Sequence, residues 1–193
     1  MSRSREFDPK DALQKSMTLF WCHGFSETSV RELAKSTGVA HAGLYAEFGG
    51  KEGLYLAALD KYINTILDML CRDLEKPTSG RKELSQFFTT ILAGISKGMM
   101  RNGCMAVNAR VEFSGTNRSV NKIVIKAFDR MRLALQGAIE RAKAAGDVNP
   151  DIDPEHTALS MTNTFHGLMV QSRSGTSIEM LEIIAKVALT QLD

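Results

Sequence analysis

Residues 27–54, ETSVRELAKSTGVAHAGLYAEFGGKEGL, decide how the N-terminal part of this chain folds. Ser29 is followed three residues later by Glu32, which is the S-x-x-E capping box that starts a helix. Gly38 then supplies the positive φ that a sharp turn into a second helix requires. A glycine pair ends that second helix before Lys51 begins a third. Two short helices joined by a tight turn are the sequence form of a helix-turn-helix, which places its second helix in the DNA major groove.

Bulk composition does not decide between classes of function. The chain has 193 residues, 44% hydrophobic and 24% charged, which is ordinary for a globular protein with one or two small domains. Its formal net charge is only +2, with a pI near 8.4. Many proteins that never contact nucleic acid have a similar charge, so net charge neither supports nor excludes a DNA-binding role.

Targeting and cysteine patterns narrow the class of protein. The opening segment lacks the apolar core of a secretory signal, and no run approaches eighteen apolar residues. We therefore expect a cytoplasmic protein without a membrane segment. Cys22, Cys71 and Cys104 form an odd, widely spaced set without a C-x-x-C pair. This pattern favours reduced thiols over a disulfide framework or a zinc site, and we expect no metal or other cofactor.

The periodicity of apolar residues predicts an all-α fold of about nine helices, because strand signals are nearly absent. Asp8-Pro9 opens the first helix and Gly24 ends it. Helix four is expected from Lys51 to about Glu75. Five more helices follow, carrying Leu84 to Met99, Met105 to Phe113, Asn117 to Ala145, Pro154 to Arg173, and Ser177 to the C-terminus. We predict a DNA-binding domain over residues 1–53 and an effector and dimerisation domain over 54–193.

Residues 5–60 resemble the DNA-binding domain of TetR-family transcriptional regulators. The matching features are Phe20…Gly24-Phe25, Thr28-Ser29-Val30-Arg31-Glu32-Leu33-Ala34, Gly38-Val39, Leu44-Tyr45, Phe48 and Lys51-Glu52-Gly53-Leu54. The resemblance implies a two-domain, all-α homodimer that binds a palindromic double-stranded operator. It also implies that the C-terminal domain binds a small-molecule effector, which changes the separation of the two DNA-reading heads. In this family the free protein usually represses its promoter and the ligand releases it.

Four residues match family positions that contact the DNA backbone. Ser29 and Arg31, at the start of helix two, are expected to contact phosphates, with Arg31 also within reach of a base edge. The alternative for Ser29 is that it serves only as a helix cap. Tyr45 and Lys51 match a phosphate-binding tyrosine and lysine, which position the protein without reading sequence.

The head of the recognition helix holds the residues expected to meet base edges. His41 offers a hydrogen-bond donor to a purine, and Ala42 is small enough to contact a thymine methyl. Gly43 allows close approach of the backbone and reads nothing itself. The alternative for His41 is an exposed histidine without a DNA role. Glu47 departs from the family pattern, because a carboxylate near phosphate is repelled unless it turns away, pairs with a cation, or accepts from a cytosine amino group.

The charge of the head is balanced. Residues 1–53 contain seven basic and seven acidic side chains, so we expect ordinary operator affinity and reliance on dimerisation. A basic arm, Ser2 to Arg5, is either a source of extra phosphate contacts or a frayed terminus. The neutral head and Glu47 also leave open a helix-turn-helix protein that has lost DNA binding.

The segment Arg101 to Asn108, RNGCMAVN, resembles the Gly-Cys-Leu/Met…Asn segment of a TetR subgroup that includes sensors of electrophiles and oxidants. A thiol at a helix N-terminus near an arginine can have a lowered pKa, so Cys104 is a candidate reactive sensor or pocket residue. The alternative is a small buried residue at a helix junction. A second class of function is a helical enzyme with Cys104 as nucleophile. No Cys–His spacing supports a base partner, so we expect no enzyme.

Apolar and polar residues of the C-terminal half are candidates for an effector pocket. Methionines and aromatics suit an adaptable apolar pocket but fill cores equally well, and isolated polar residues could orient a ligand. The candidates besides Cys104 are Met105, Asn108, Phe113, Phe165, His166 and Met169. The last two helices resemble the pair that forms the dimer interface in the TetR family, with Ala158, Ser160 and Gly167 allowing close approach.

Overall fold

A computed structural model describes residues 7–193 of the chain. Within that range it consists of nine helices without a β-strand, as predicted. The basic arm predicted over Ser2 to Arg5 lies outside the described residues. Three short helices form the N-terminal head: α1 (Pro9–His23), α2 (Val30–Thr37) and α3 (His41–Phe48).

The capping signals of the head have the predicted geometry. The Asp8 side chain accepts from the Lys10 backbone N–H at 2.8 Å and starts α1. At α2, the Ser29 hydroxyl accepts from Glu32 N at 3.1 Å, and the Glu32 carboxylate accepts from Ser29 N at 2.7 Å. Gly38 has φ 74° and ψ 12°, the left-handed conformation that turns the chain from α2 into α3.

Helix α4 connects the head to the rest of the molecule. It is a continuous run of Lys51–Tyr62, a π-helical segment Ile63–Leu67, and α-helical Asp68–Arg72. The Thr65 hydroxyl donates to the carbonyls of Lys61 (2.7 Å) and Tyr62 (3.2 Å), giving the widened turn extra hydrogen bonds. The sequence pattern predicts a single long helix here but carries no sign of the π segment.

Five further helices complete the fold: α5 (Arg81–Ser96), α6 (Met105–Phe113), α7 (Arg118–Ala145), α8 (Pro154–Arg173) and α9 (Ile178–Leu189), which ends in a 3₁₀ turn (Thr190–Leu192). One boundary prediction is wrong. Met99 was expected on the buried stripe of α5, yet it lies beyond the helix end and is 61% exposed. The chain turns at Gly98, and Met100 packs back against Gly94 in the core instead.

The core runs through both halves of the molecule. Helix α1 packs along α4 in the head, and α7 packs along α8 in the larger half. Because α4 begins at Lys51 and continues to Arg72, it extends across the domain boundary predicted after residue 53. That boundary stays a prediction. No helix in the described part of the chain is long and apolar enough to cross a membrane.

Several large apolar side chains of α8 and α9 remain exposed. Their exposed fractions are 46% to 62%. Leu159 and Val170 lie on α8, and Met180, Ile183 and Val187 lie on α9. The three small residues that were expected at the dimer interface differ in their exposure. Ser160 is exposed and Gly167 is half-buried, whereas Ala158 is fully buried within the protomer. The expectation that Ala158 allows close approach of a second copy is therefore wrong.

Candidate DNA-binding surface and effector cavity

Helix α3 turns one face toward the head's core and leaves the other exposed. Leu44 is 1% exposed and Val39, in the turn before the helix, is 8% exposed. Both residues belong to the buried core, and α3 packs against α2 and α4. On the opposite face His41, Ala42 and Tyr45 are exposed, while Gly43 is half-buried, with Val39 close beside it. The predicted base-reading residues are therefore accessible together at the start of one helix.

Ser29 and Arg31 lie at the start of α2, and both are exposed. The Ser29 hydroxyl is engaged as the helix cap, so the alternative reading of this residue has geometric support. The hydrogen bonds from the Ser29 side chain and backbone lower the pKa of Glu32, which keeps the capping carboxylate charged. A phosphate contact by Ser29 would add to its capping role and stays a prediction.

Lys51 and Tyr45 each have an aromatic partner. The Lys51 ammonium lies 4.3 Å from the centroid of the Phe25 ring, a cation–π contact that holds a half-buried side chain at the start of α4. The ring centroids of His41 and Tyr45 are 3.9 Å apart in an edge-to-face arrangement. These contacts restrict the side chains expected to touch DNA. Glu47 is exposed on the same helix, and its effect on DNA affinity stays a prediction.

Helix α6 is hydrogen-bonded directly to the loop between α1 and α2. The Glu112 carboxylate accepts from the backbone N–H groups of Phe25 at 2.9 Å and Ser26 at 2.7 Å. A Cβ atom on Gly24 would lie only 2.9 Å from the same carboxylate, and Gly24 also has φ 84°. Glycine is therefore needed here for both reasons. Nothing in the sequence pattern identifies Glu112 as a partner of a loop 86 residues earlier.

Helix α8 reaches the end of α1 through Arg173. Its guanidinium donates to the carbonyls of Trp21 (3.2 Å) and Cys22 (3.1 Å), which end α1, and to the Asn102 carbonyl (3.2 Å). The indole N–H of Trp21 donates to the Gly103 carbonyl at 3.0 Å. Together with Glu112, Arg173 links the DNA-binding head to helices of the larger half.

Cys104 is the N-cap of α6, but its environment contradicts the expected reactive thiolate. The residue is 0% exposed, and burial raises the pKa of its thiol above the ordinary value. Hydrogen bonds from Tyr62 and from the first backbone N–H groups of α6 oppose this shift without reversing it. Arg101, expected to favour the thiolate, is exposed. The prediction of a lowered pKa is wrong because burial outweighs the helix N-terminus.

The other predicted effector residues separate into three groups. Met105, Phe165 and Met169 are each 1% exposed and pack within the core, so they do not line the cavities described below. Phe113 is half-buried and packs against the rings of Phe25 and Tyr55, where α6 meets the head. Only His166 and Asn108 lie on a cavity wall. The apolar pattern alone could not distinguish core from cavity.

His166 lies in a cavity of about 380 Å³ between α6, α7 and α8. Its ring contacts Phe128 with centroids 4.3 Å apart, and its Nε2 atom is buried without a hydrogen-bond partner among the described residues. Burial, together with the nearby positive charge of Arg110, lowers the pKa of His166 to about 4, so the imidazole is neutral at pH 7. The cavity is lined by Val107, Arg110, Val111, Phe128, His166, Gly167, Val170 and Gln171.

A second cavity, of about 270 Å³, continues toward the head. It shares Val107, Val111 and Val170 with the His166 cavity, and its remaining wall includes Glu112 and Arg173. Asn108 also lies on this wall, and its side chain donates to the Asn102 carbonyl at 3.0 Å. One shared apolar wall therefore separates the His166 cavity from the two side chains that hold the head.

A groove of about 830 Å³ lies along α7 beside Leu74 and Glu75, which follow α4, on a different part of the surface. Its arginines already have partners: Arg130 pairs with Glu75 and Asp68, and Arg141 donates to Ser79 and to the Leu74 carbonyl. In the part of the chain that the structure describes, no cluster of side chains could hold a metal ion.

Comparison with known proteins identifies the family. A model described as "Bacterial regulatory proteins, tetR family" matches residues 12–58, and one described as "Tetracyclin repressor-like, C-terminal domain" matches residues 80–186. The second match alone covers more than half of the chain. The chain belongs to the TetR family. It is a DNA-binding transcriptional regulator by family, and the expected all-α architecture with an N-terminal helix-turn-helix is confirmed.

Individual relatives of this TetR-family regulator span its whole length. It is 30% identical over 192 residues to the HTH-type transcriptional repressor ComR of Escherichia coli (strain K12), covering 97% of this chain and 90% of ComR. A cysteine mutant of the TetR-family regulator CifR, solved with 26-bp double-strand operator DNA, superposes with a TM-score of 0.87 over 100% of both chains at 26% identity. Reduced Escherichia coli NemR superposes with a TM-score of 0.81 at 19% identity, covering 95% of this chain and 96% of NemR, which shows the shared fold.

Proposed function

We propose that this protein is a homodimeric repressor that binds a two-fold symmetric operator through Ser29, Arg31, His41, Ala42, Gly43, Tyr45 and Lys51, and that a small-molecule effector releases it. The observation that carries this proposal is the exposure of Ser29 and Arg31 at the start of α2 and of His41, Ala42 and Tyr45 on α3, with half-buried Lys51 at the start of α4. We assign His41 and Ala42 to contacts with base edges. Ser29, Arg31, Tyr45 and Lys51 surround them as phosphate contacts. We assign this head to residues 1–53 and the effector domain to 54–193.

Dimerisation is assigned to α8 and α9. Their five exposed apolar side chains form a surface that water covers in a single protomer, and burial of such a surface favours association. An interface in which the same two helices of each copy meet is isologous and gives two-fold symmetry. Two heads related by that symmetry match an operator with two half-sites. ComR is named a repressor, which supports the repressing role proposed here.

Control of the head by an effector is assigned to the junction of α1, α6 and α8. Glu112 and Arg173 contact four backbone groups at the end of α1 and in the following loop. A ligand that separates α6 from α8 would change these contacts and, through them, the orientation of the head. The relative position of α6 and α8 would therefore depend both on the bound effector and on the head, which is the coupling that allosteric control requires.

A direct sensing role for Cys104 would require the buried thiol to become accessible, whereas membership of the Gly-Cys-Met…Asn subgroup rests on the sequence of residues 101–108. Its burial and raised pKa favour a structural role in this conformation. The same burial gives no support to an enzyme with Cys104 as nucleophile, because a substrate has no access to the sulfur. We therefore propose a non-catalytic regulator whose effector binds without covalent reaction at Cys104.

Selection of binding sites from a random double-stranded DNA library tests the DNA-binding proposal. A symmetric consensus is expected, and the protein's affinity for it should fall steeply between about 50 and 200 mM salt. Replacing His41 by Ala should cost about 1–3 kcal/mol and relax base preference at one position per half-site, whereas Lys51→Gln should weaken all sequences alike and lower the salt slope by about one.

The matched control is Lys97→Gln, which removes an exposed charge that follows α5, outside the head, and should leave operator binding unchanged. A library that yields no enriched sequence, or a salt slope near zero, would contradict the proposal. Equal effects of Lys51→Gln and Lys97→Gln would show that the assigned surface is not the DNA-binding one.

A further inference from the structure

The His166 cavity has the chemistry of a site for one class of ligand. Its wall is mainly apolar, with Phe128 and three valines, and its polar groups are few. Those polar groups are the Arg110 guanidinium, the His166 imidazole and the Gln171 amide. No aspartate or glutamate lines it. A volume of about 380 Å³ lies at the lower end of the range of small-molecule sites.

The unpartnered Nε2 atom of His166 is the sharpest observation. Buried polar atoms of folded proteins are almost always hydrogen-bonded, so an exception calls for a specific explanation. This atom is buried without a partner among residues 7–193, on a ring that also contacts Phe128. A ligand oxygen in the cavity would supply the missing partner.

The charge at the site selects the kind of ligand. Arg110 is exposed on α6, forms no ion pair within the described residues, and lies close enough to disfavour a second positive charge on His166. A cationic ligand is therefore repelled. An anion would be bound by the guanidinium and by an imidazole N–H, and a planar carboxylate matches the guanidinium fork. The single cation and apolar walls favour one carboxylate on an apolar body over a phosphate dianion.

We propose, building on the effector-release function above, that the cavity between α6, α7 and α8 binds a small carboxylate with an aromatic or aliphatic body. The carboxylate pairs with Arg110 and accepts from His166, and the body packs on Phe128 and the valines. Val107, Val111 and Val170 form the wall shared with the cavity that contains Glu112 and Arg173. A ligand that displaces these valines would change the hydrogen bonds that Glu112 of α6 and Arg173 of α8 make with the head. Val170 also belongs to the exposed apolar surface of α8, so a second copy would lie beside the site.

Binding of a defined panel to the purified full-length protein tests the proposal. The panel contains benzoate, 3-phenylpropionate, indole-3-acetate and octanoate, each with the corresponding primary alcohol as a neutral match. Titration calorimetry gives affinities. For panel members that do not absorb near 280 nm, the emission of Trp21, which is the chain's single tryptophan and contacts Gly103 at the head junction, reports whether the junction responds.

At least one carboxylate should bind about tenfold or more tightly than its alcohol, the range expected for one charge-assisted contact. Arg110→Gln should abolish that preference. His166→Phe should weaken carboxylate binding by about tenfold while keeping the ring contact with Phe128. Arg101→Gln is the matched control, because Arg101 is exposed and lines neither cavity.

The proposal is overturned if no panel carboxylate binds at millimolar concentration, if acids and alcohols bind alike, or if Arg110→Gln behaves as Arg101→Gln does. Operator release is measured separately, with the DNA selected above. A carboxylate that binds with the predicted variant pattern but leaves the operator complex intact supports the site and refutes its role as the effector site. Failure of the free protein to bind any DNA refutes the repressor function, while the calorimetry still decides the site.

Discussion

Replacing Gly53 by alanine should disrupt the contact between the recognition helix and α4. Gly53 lies in the first turn of α4, and a Cβ atom there would lie 1.8 Å from the carbonyl oxygen of Phe48, the last residue of α3. Real Cβ contacts essentially never fall below 3.0 Å. The end of α3 and the start of α4 must therefore separate by about 1.2 Å or more, and the neighbour is backbone that cannot rotate away.

The expected cost follows from two opposing effects. Alanine gains up to about 1 kcal/mol over glycine inside a helix. Overpacking against rigid structure costs about 1–3 kcal/mol and sometimes more. We expect a net loss of about 2 kcal/mol in the free energy of unfolding, which lowers Tm by about 4–8 °C for a chain of this size. Operator affinity should also fall, because α3 moves relative to Lys51.

Thermal and urea unfolding followed by circular dichroism, at one protein concentration, measures this loss. Gly137→Ala is the control, since it makes the same change inside α7. There the nearest atom to a new Cβ is a guanidinium nitrogen of Arg141 at 3.1 Å, so this side chain needs to move by only a few tenths of an ångström. This control should be as stable as the unchanged protein, or more stable by up to about 1 kcal/mol. The reasoning is refuted if Gly53→Ala unfolds at the same temperature as Gly137→Ala.

Three further changes test the junction, the thiols and the buried imidazole. Glu112→Gln should destabilise by about 1–3 kcal/mol, since an amide has a single acceptor oxygen and its NH₂ group cannot accept from the second of the Phe25 and Ser26 N–H groups; an unchanged Tm would contradict this. Native-state alkylation followed by mass spectrometry should modify half-buried Cys22 before Cys104, because burial raises the pKa of the Cys104 thiol; faster labelling of Cys104 would restore the sensor hypothesis. The folded pKa of His166 is lowered from 6.5 to about 4, so the unfolded chain takes up a proton first as pH falls. Its stabilising contribution is present above pH 6.5 and is lost between pH 6.5 and about 4. The stability of His166→Phe should decline less than that of the unchanged protein over this window, and parallel pH profiles would contradict the assignment.

Local rules account for most of the helix pattern. Ser29 and Glu32 form the capping box because the two side chains lie three residues apart, and Gly38 takes the conformation that its turn requires. Helix positions in the larger half follow from apolar periodicity and from breaks at glycine, proline and serine. Such signals act over a few residues, which is why they can be read without an alignment.

Predictions that depended on environment were less successful. Cys104 stands at a helix N-terminus as expected, but the core around it decides its pKa. Met105, Phe165 and Met169 have the apolar character of pocket residues, yet the packing of α6 and α8 places them in the core. Periodicity indicates that a residue faces inward. It does not indicate whether protein atoms or a cavity lie opposite.

By itself, the sequence determined the all-α class and the helix-turn-helix, because these depend on caps, turns and spacing within one segment. Only the tertiary structure placed Arg110 beside His166 across two helices, and Glu112 beside a loop 86 residues away. It also showed that Gly53 is needed for the approach of α4 to the Phe48 carbonyl. Each of these contacts depends on distances between elements, which the packing of the whole core decides and no local pattern contains.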